Sequence, residues 1–185
     1  LPSDWRQKQP AAKDMGLRPK LDDLGPVRWH PSPAPDWALT DRNGESFSLK
    51  SQHGKPMVLI FYLGKGCTHC MEQLNAFDPL ANEFESKGIT LLAVSTDTTA
   101  GLLDTFIGYD AKDRHFNFPL LSDPTLATFK KYRAYDDFEE TPLHGTFLID
   151  TSGSILWQEI SYDPFMAPKF LLEEAERLLA QPAAK

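Results

Sequence analysis

Cysteine is scarce in this chain: two residues in 185, Cys67 and Cys70. That count excludes a disulfide-stapled scaffold, and a chain of this length buries enough core to do without one. Long apolar runs are also missing. The longest, Met57–Leu63, falls far short of the roughly 20 residues that cross a bilayer. No stripe of positive charge exists. The net charge is −7, with acidic and basic residues interspersed, which argues against nucleic acid and against insertion into or adsorption on an anionic membrane. Internal repeats and low-complexity segments are absent too. Apolar residues make up 41% and charged residues 24%, as in one soluble globular domain. The first residue is Leu1 rather than Met. The expectation is therefore a processed or excised piece, in which an export signal or an upstream domain would not be visible.

Proline is concentrated at the start. Seven of the 15 prolines lie in residues 1–35, and Pro31, Pro33 and Pro35 alternate. Proline lacks an amide donor and has a fixed φ, so this region forms neither regular helix nor a central strand. Residues 1–35 are expected to be an extended arm or linker, or the remnant of an upstream domain. Trp37–Leu39 and Phe47–Leu49 flank Asn43-Gly44, a strong signal for a hairpin with a type I′ turn. "KPMVLIFYL" reads as a strand buried on both faces. After Cys70, apolar residues recur every three or four positions through Phe84, with Pro79 expected to kink that helix and Gly88 to cap it. "ITLLAVST" is a second buried strand. A helix over 99–107, a strand in "FPLLSD", a helix over 125–132, strands in "GTFLID" and "ILWQEIS", and a closing amphipathic helix follow. Strands alternating with helices imply a central sheet covered on both sides, with 146–150 and 155–161 adding an antiparallel edge.

The cysteines fall between a buried strand and a helix start. Unpaired amides and the helix dipole stabilise a thiolate there and lower its pKa. Cys-x-x-Cys spacing lets the second thiol resolve a mixed disulfide formed on the first. Cys67, at the cap, is expected to be exposed and Cys70, one turn in, more buried. Gly64 and Gly66 let the preceding loop bend and approach closely. His69, as imidazolium, and Lys65 would favour the thiolate. Other uses of the pair are a zinc half-site or a passive disulfide. A closed zinc site wants four ligands, no second cysteine pair exists, and His30, His53, His115 and His144 lack metal-like spacing. Haem attachment would need histidine at Met71. A passive disulfide would close a very small loop. Neither a metal nor an organic cofactor is expected.

Thr141-Pro142 precedes the "GTFLID" strand. An X-Pro bond is where cis linkages occur, although trans is the ordinary state. A cis loop facing the cysteines would leave the Thr141 backbone free for an incoming substrate.

The blocks "MVLIFYLGKGCTHC", "LLAVSTD", "FPLLSDPTLATFKKY" and "TPLHGTFLIDTSGSIL", in this order, resemble the thioredoxin-like superfamily. More narrowly they resemble its alkyl hydroperoxide reductase/thiol-specific antioxidant branch, the peroxiredoxin-like redoxins. The resemblance covers about residues 36–180. It implies an α/β thioredoxin-like fold: a central mixed β-sheet flanked by helices, with an N-terminal β-hairpin, in a redoxin domain over 36–182. It also turns the expectation at Pro142 toward cis.

The resemblance carries two activities. In a peroxiredoxin, Cys70 would be peroxidatic and Gln73 would match a following motif position. However, Leu63 and Cys67 stand where proline and threonine are typical, and His144 stands where an arginine is expected. Arginine offers a permanent fork of donors, which histidine does not. In a dithiol oxidoreductase, Cys67-x-x-Cys70 and Thr141-Pro142 match the active-site pair and the substrate loop. Pro79 lies farther from Cys70 than the helix proline of thioredoxin, and Phe61 replaces its buried acid. The expected activity is thiol–disulfide exchange, with Cys67 attacking, Cys70 resolving, Thr141 and Pro142 binding substrate, and Lys65, His69, Gln73 and His144 tuning. The alternatives are a thiol peroxidase with Cys67 resolving, and a non-catalytic redoxin module of a larger protein. Expected partners are protein or small-molecule thiols and disulfides, hydroperoxides in the peroxidase case, and an electron-donor redox protein. An extracytoplasmic location is favoured by His69 and by the resemblance to exported redoxins. Trp37 and Trp157 are expected to pack structurally, the "YRAYDDFEE" loop to be solvated, and His115 to lie on the surface.

Overall fold

A computed structural model describes residues 31–102 and 116–180. Residues 1–30 of the expected arm, most of the helix expected over 99–107, and His115 lie outside the described residues. Residues 99–102 are helical, as expected.

The strands are β1 (Ser32–Pro33), β2 (Ala38–Asp41), β3 (Ser46–Ser48), β4 (Met57–Tyr62), β5 (Thr90–Ser95), β6 (Leu120–Ser122), β7 (Tyr135–Asp136), β8 (Thr141–Pro142), β9 (His144–Ile149) and β10 (Ser154–Ser161). The helices are α1 (Thr68–Phe77), α2 (Ala81–Ser86), α3 (Ala127–Lys131) and α4 (Pro168–Leu179). An eight-stranded sheet runs β1-β10-β9-β4-β5-β6-β2-β3, and β7 pairs with β8 separately. The β4–β5–β6 centre is parallel, and the flanking pairs are antiparallel. The antiparallel β9–β10 pair extends the sheet beyond β4 as expected, and the two-residue β1 adds one further strand outside β10. Pro33 fits there because an edge strand has no second ladder to donate to.

All six residues of β4 are buried. Val58, Ile60 and Tyr62 face one core with Cys70, Leu74, Phe77, Phe84 and Leu171. Met57, Leu59 and Phe61 face the other, with Trp37, Phe129, Tyr132 and Phe147. A strand that alternates into two cores has no polar face, which explains its unbroken apolar run. Phe61 meets Phe129 edge-on at 4.9 Å and Phe147 at 5.5 Å. An acid at this position would be buried among aromatic rings.

The hairpin turn differs from the expected type I′. Gly44 has φ +81°, but Asn43 is not in the left-handed region. The Asp41 carboxylate instead accepts the amides of Asn43 and Glu45, both at 2.8 Å. The Gly44 amide donates to the Asp41 carbonyl, and the Asp41 amide to the Glu45 carbonyl. This is a type I turn followed by a glycine bulge, nucleated by an aspartate at its first position.

Pro79 interrupts the helix after Cys70 as expected. α1 ends at Phe77, a 3₁₀ turn spans Asp78–Leu80, and α2 resumes at Ala81. Gly88, at φ +74°, ends α2.

Candidate functional site

α1 starts where β4 ends, so the cysteines stand above the parallel centre of the sheet. Cys67 is the N-cap, with extended φ −104° and ψ 106°, and its sulfur accepts the Cys70 amide at 3.2 Å. A cysteine sulfur thus does what a serine or threonine oxygen does at most helix starts. The next positions inward, Cys70, Gln73, Leu74 and Phe77, recur at three and four residues and form the buried face of α1. That spacing puts Cys70 in the core while Cys67 stays at the surface. Cys70 is fully buried and Cys67 is half-buried, and the two are joined in a disulfide with Cα atoms 5.3 Å apart.

The loop before Cys67 is fastened to the end of β5. Thr96 Oγ1 donates to the Leu63 carbonyl at 2.9 Å. The Lys65 amide donates to Asp97 Oδ2 at 2.8 Å, and Ser95 Oγ donates to the same oxygen at 2.9 Å. Gly64 has φ +95°, and a Cβ there would lie 2.8 Å from Asp97 Oδ2. Both conformation and space therefore require glycine. Gly66 has no such need: its φ is not positive and its surroundings are open.

His144 sits at the start of β9, and its ring reaches the disulfide. Nε2 is 3.2 Å from Cys70 Sγ and 3.9 Å from Cys67 Sγ. Nδ1 is 2.8 Å from the Tyr162 carbonyl. A carbonyl only accepts, so Nδ1 carries the proton and neutral His144 presents the Nε2 lone pair to the sulfurs. The residue is 3% exposed. Burial pushes its pKa down, partly offset by the Tyr162 carbonyl and the Asp163 charge. The Leu63 amide donates to Cys70 Sγ at 3.3 Å. The buried sulfur therefore accepts an amide and lies against the imidazole, and the half-buried sulfur accepts an amide. Chain spacing had set His144 aside as a metal ligand. The fold brings it to both sulfurs, and among the described residues Cys67, Cys70 and His144 place three donor atoms within 4.8 Å of one another.

The other expected site residues are arranged differently. His69 is exposed, with Nδ1 3.0 Å from Glu72 Oε2. Lys65 engages the site through its backbone amide. Gln73 is fully buried, and its amide donates to the Phe165 carbonyl at 3.2 Å, tying α1 to the segment before α4. The expectation of a cis Thr141-Pro142 bond is corrected: among the described residues every peptide is trans. Pro142 is extended and lies opposite Tyr135, Thr141 lies opposite Asp136, and the Leu143 amide donates to the Ala134 carbonyl. The extended trans linkage carries β8 directly toward β9, and the Thr141 backbone is engaged in a ladder rather than left free. The acidic loop is exposed over 137–140, as expected, and Asp136 orders it by accepting the amides of Phe138 and Glu139 and a hydrogen bond from the Tyr162 hydroxyl.

Sequence reasoning passed over Asp97, Tyr162 and the Leu63 amide. Asp97 had a signal, a carboxylate just past the end of a central parallel strand. Tyr162 acts through its carbonyl, which side-chain identity does not report.

Among curated proteins, the chain is 33% identical over 154 residues to the mitochondrial thioredoxin-dependent peroxide reductase of Drosophila melanogaster, covering 80% of this chain and 64% of that protein. It is 30% identical over 128 residues to the thiol-disulfide oxidoreductase ResA of Bacillus thuringiensis subsp. konkukian, covering 69% and 66%. The chain thus spans about two thirds of the length of these relatives. Among solved structures, peroxidoxin BcpB of Mycobacterium tuberculosis matches with a TM-score of 0.69 at 23% identity, over 82% of this chain and 98% of that one. That likeness shows a shared fold, and the mixed sheet with flanking helices is the thioredoxin-like architecture. The family model described as AhpC/TSA family matches residues 31–158, and the chain belongs to that family.

Proposed function

We propose that the chain catalyses thiol–disulfide exchange through Cys67 and Cys70. The observation that carries this reading is the asymmetry of the pair: a half-buried sulfur at the helix cap, bonded to a fully buried one. In the oxidised state a substrate thiolate attacks Cys67 Sγ. A sulfur–sulfur bond forms to the substrate, the Cys67–Cys70 bond breaks, and its electron pair goes to Cys70. The Leu63 amide stabilises the charge left there. A second substrate thiolate attacks the substrate sulfur of the mixed disulfide. Substrate disulfide leaves, and the two thiol protons end on Cys67 and Cys70. In reverse, Cys70 must lose its proton to resolve a mixed disulfide on Cys67, and His144 Nε2, at 3.2 Å, is the acceptor in reach.

We assign Thr141 and Pro142 to the rim of the substrate site, because His144, two residues on, touches both sulfurs. Lys65 and His69 flank Cys67 and bias the site toward the thiolate. Gln73 positions α1. Substrates are thiols or disulfides of proteins or small molecules, with a redox protein as electron donor. The similarity to both a peroxide reductase and a disulfide oxidoreductase supports thiol redox chemistry of this class.

A peroxidase would use Cys70 as the attacking thiol. That sulfur is fully buried, and the arginine that would polarise a peroxide is replaced by a histidine whose burial disfavours its charged form. The deciding comparison is Cys67→Ser against Cys70→Ser, both reduced. Cys70→Ser is expected to trap a mixed disulfide with a disulfide substrate, while hydrogen peroxide reacts slowly with either variant. Rapid sulfenic acid formation at Cys70 in Cys67→Ser would overturn the assignment.

A further inference from the structure

We propose that the dithiol form binds one thiophilic d¹⁰ cation, Zn(II) or Cu(I), through Cys67 Sγ, Cys70 Sγ and His144 Nε2. This site does not depend on which thiol reaction the chain catalyses.

The spacing is that of a coordination sphere. Zinc bonds of about 2.3 Å to sulfur and about 2.05 Å to imidazole, at the tetrahedral angle, set nitrogen and sulfur about 3.6 Å apart. The observed separations, 3.2 and 3.9 Å, bracket that value. Breaking the disulfide frees the sulfurs to separate by rotation about their Cα–Cβ bonds. The Cα atoms, 5.3 Å apart, do not have to move.

The surroundings suit a metal as well. A ligating imidazole ordinarily donates its second N–H to a carbonyl or carboxylate, which fixes its tautomer. His144 does so to Tyr162, leaving the Nε2 lone pair facing the sulfurs. Amides of Cys70 and Leu63 donate to the two sulfurs and would offset thiolate charge. Two thiolates and one imidazole form a soft donor set suited to Zn(II) or Cu(I). The half-buried side of Cys67 leaves a fourth position open to solvent.

Metal and disulfide exclude each other, because the bonded sulfurs have no thiolate charge to give. The site opens when a reductant supplies two electrons. With a phosphine, the disulfide and one water yield two thiols and the phosphine oxide. Metal binding then displaces up to two thiol protons.

The test uses the full chain, reduced with a phosphine under anaerobic conditions at pH 7. Zn(II) and, in a separate arm, Cu(I) are titrated against chromogenic chelators. Binding of one equivalent, at least about 100-fold tighter than to the oxidised protein, is expected in at least one arm. His144→Ala should weaken it at least about tenfold, in line with lost ligation support. His53→Ala, at an exposed histidine outside the site, should stay within about twofold. X-ray absorption of the loaded wild type, which needs no variant to fold, should show two sulfurs and one imidazole nitrogen. Equal binding by oxidised and reduced protein, unchanged binding by His144→Ala, or a shell lacking imidazole would overturn the proposal. Disulfide exchange by metal-free protein is assayed in parallel, so failure of one reading is distinguishable from failure of the other.

Discussion

Gly64 shows how closely one backbone position controls the site. Its φ of +95° and the Asp97 carboxylate 2.8 Å from a would-be Cβ act together. Gly64→Ala is expected to cost about 2–3 kcal/mol: roughly 1–2 from the left-handed backbone, the rest from displacing Asp97 off the Lys65 amide. In an Asp97→Ala background the second part is already lost, so the added cost of Gly64→Ala should fall by at least about 0.5 kcal/mol. Denaturant unfolding of the four proteins in the cycle measures this. Strictly additive costs would mean that the carboxylate does not enforce the glycine.

Glu159 offers a pH-dependent test away from the disulfide. It lies on β10 opposite Thr146, and its buried Oε2 has no hydrogen-bond partner among the described residues. Burial and the nearby Asp163 charge raise its pKa. A carboxyl with a raised folded pKa binds its proton more tightly when folded. Stability is therefore lost as pH rises through the ordinary carboxylate range to the raised value, and the penalty is complete at neutral pH. Glu159→Gln removes it. After allowance for solvent screening, the gain at pH 7 is expected to be about half a kcal/mol, or a Tm rise of about 1–2 °C. Below the ordinary carboxylate range, variant and wild type should unfold together. Thermal scans from pH 3 to 8 check it, and an advantage that persists in acid would point to a packing effect instead.

Elements were legible where a periodic signal acted alone. β4 reads as a continuous apolar run because the sheet is covered on both faces, and α1 reads from its three- and four-residue spacing with Pro79 breaking it. The site was legible to the same depth. Cys67 and Cys70 follow from the spacing at a strand-to-helix junction, and so does their division into surface and core sulfurs. What stayed hidden are properties made by pairing across distance. The Asn43-Gly44 signal named a hairpin but not its turn, because the Asp41 side chain captures two amides and selects a different geometry. Pro142 is trans, the ordinary state of an X-Pro bond, and its pairing with β7 is a ladder too short to leave a pattern in the chain. His144 meets the sulfurs only because β9 runs beside β4, 74 residues from Cys70.

For the molecule as a whole, the open question is where the redoxin domain begins. Proline content suggested residue 36, but the sheet starts earlier. β1 pairs Ser32 with Ile155 and Pro33 with Ser154, and the Ala34 amide donates to the Gly153 carbonyl at 2.8 Å. Tyr132, buried beside Phe61, donates its hydroxyl to the Pro35 carbonyl at 3.0 Å, and Lys131 Nζ donates to the Asp36 carbonyl at 2.8 Å. These contacts cover the β10 edge and satisfy a buried phenol. We therefore assign residues 31–36 to the domain. A chain beginning at residue 37 should be about 1–3 kcal/mol less stable than one beginning at residue 31, mainly because the Tyr132 hydroxyl loses its acceptor. Tyr132→Phe should shrink that difference, since no hydroxyl is then left unpaired. Urea unfolding of the two truncations, each with and without Tyr132→Phe, separates the contributions. Equal midpoints for both truncations would return residues 31–36 to the arm. A difference that Tyr132→Phe leaves unchanged would instead assign the stabilisation to the β1–β10 ladder.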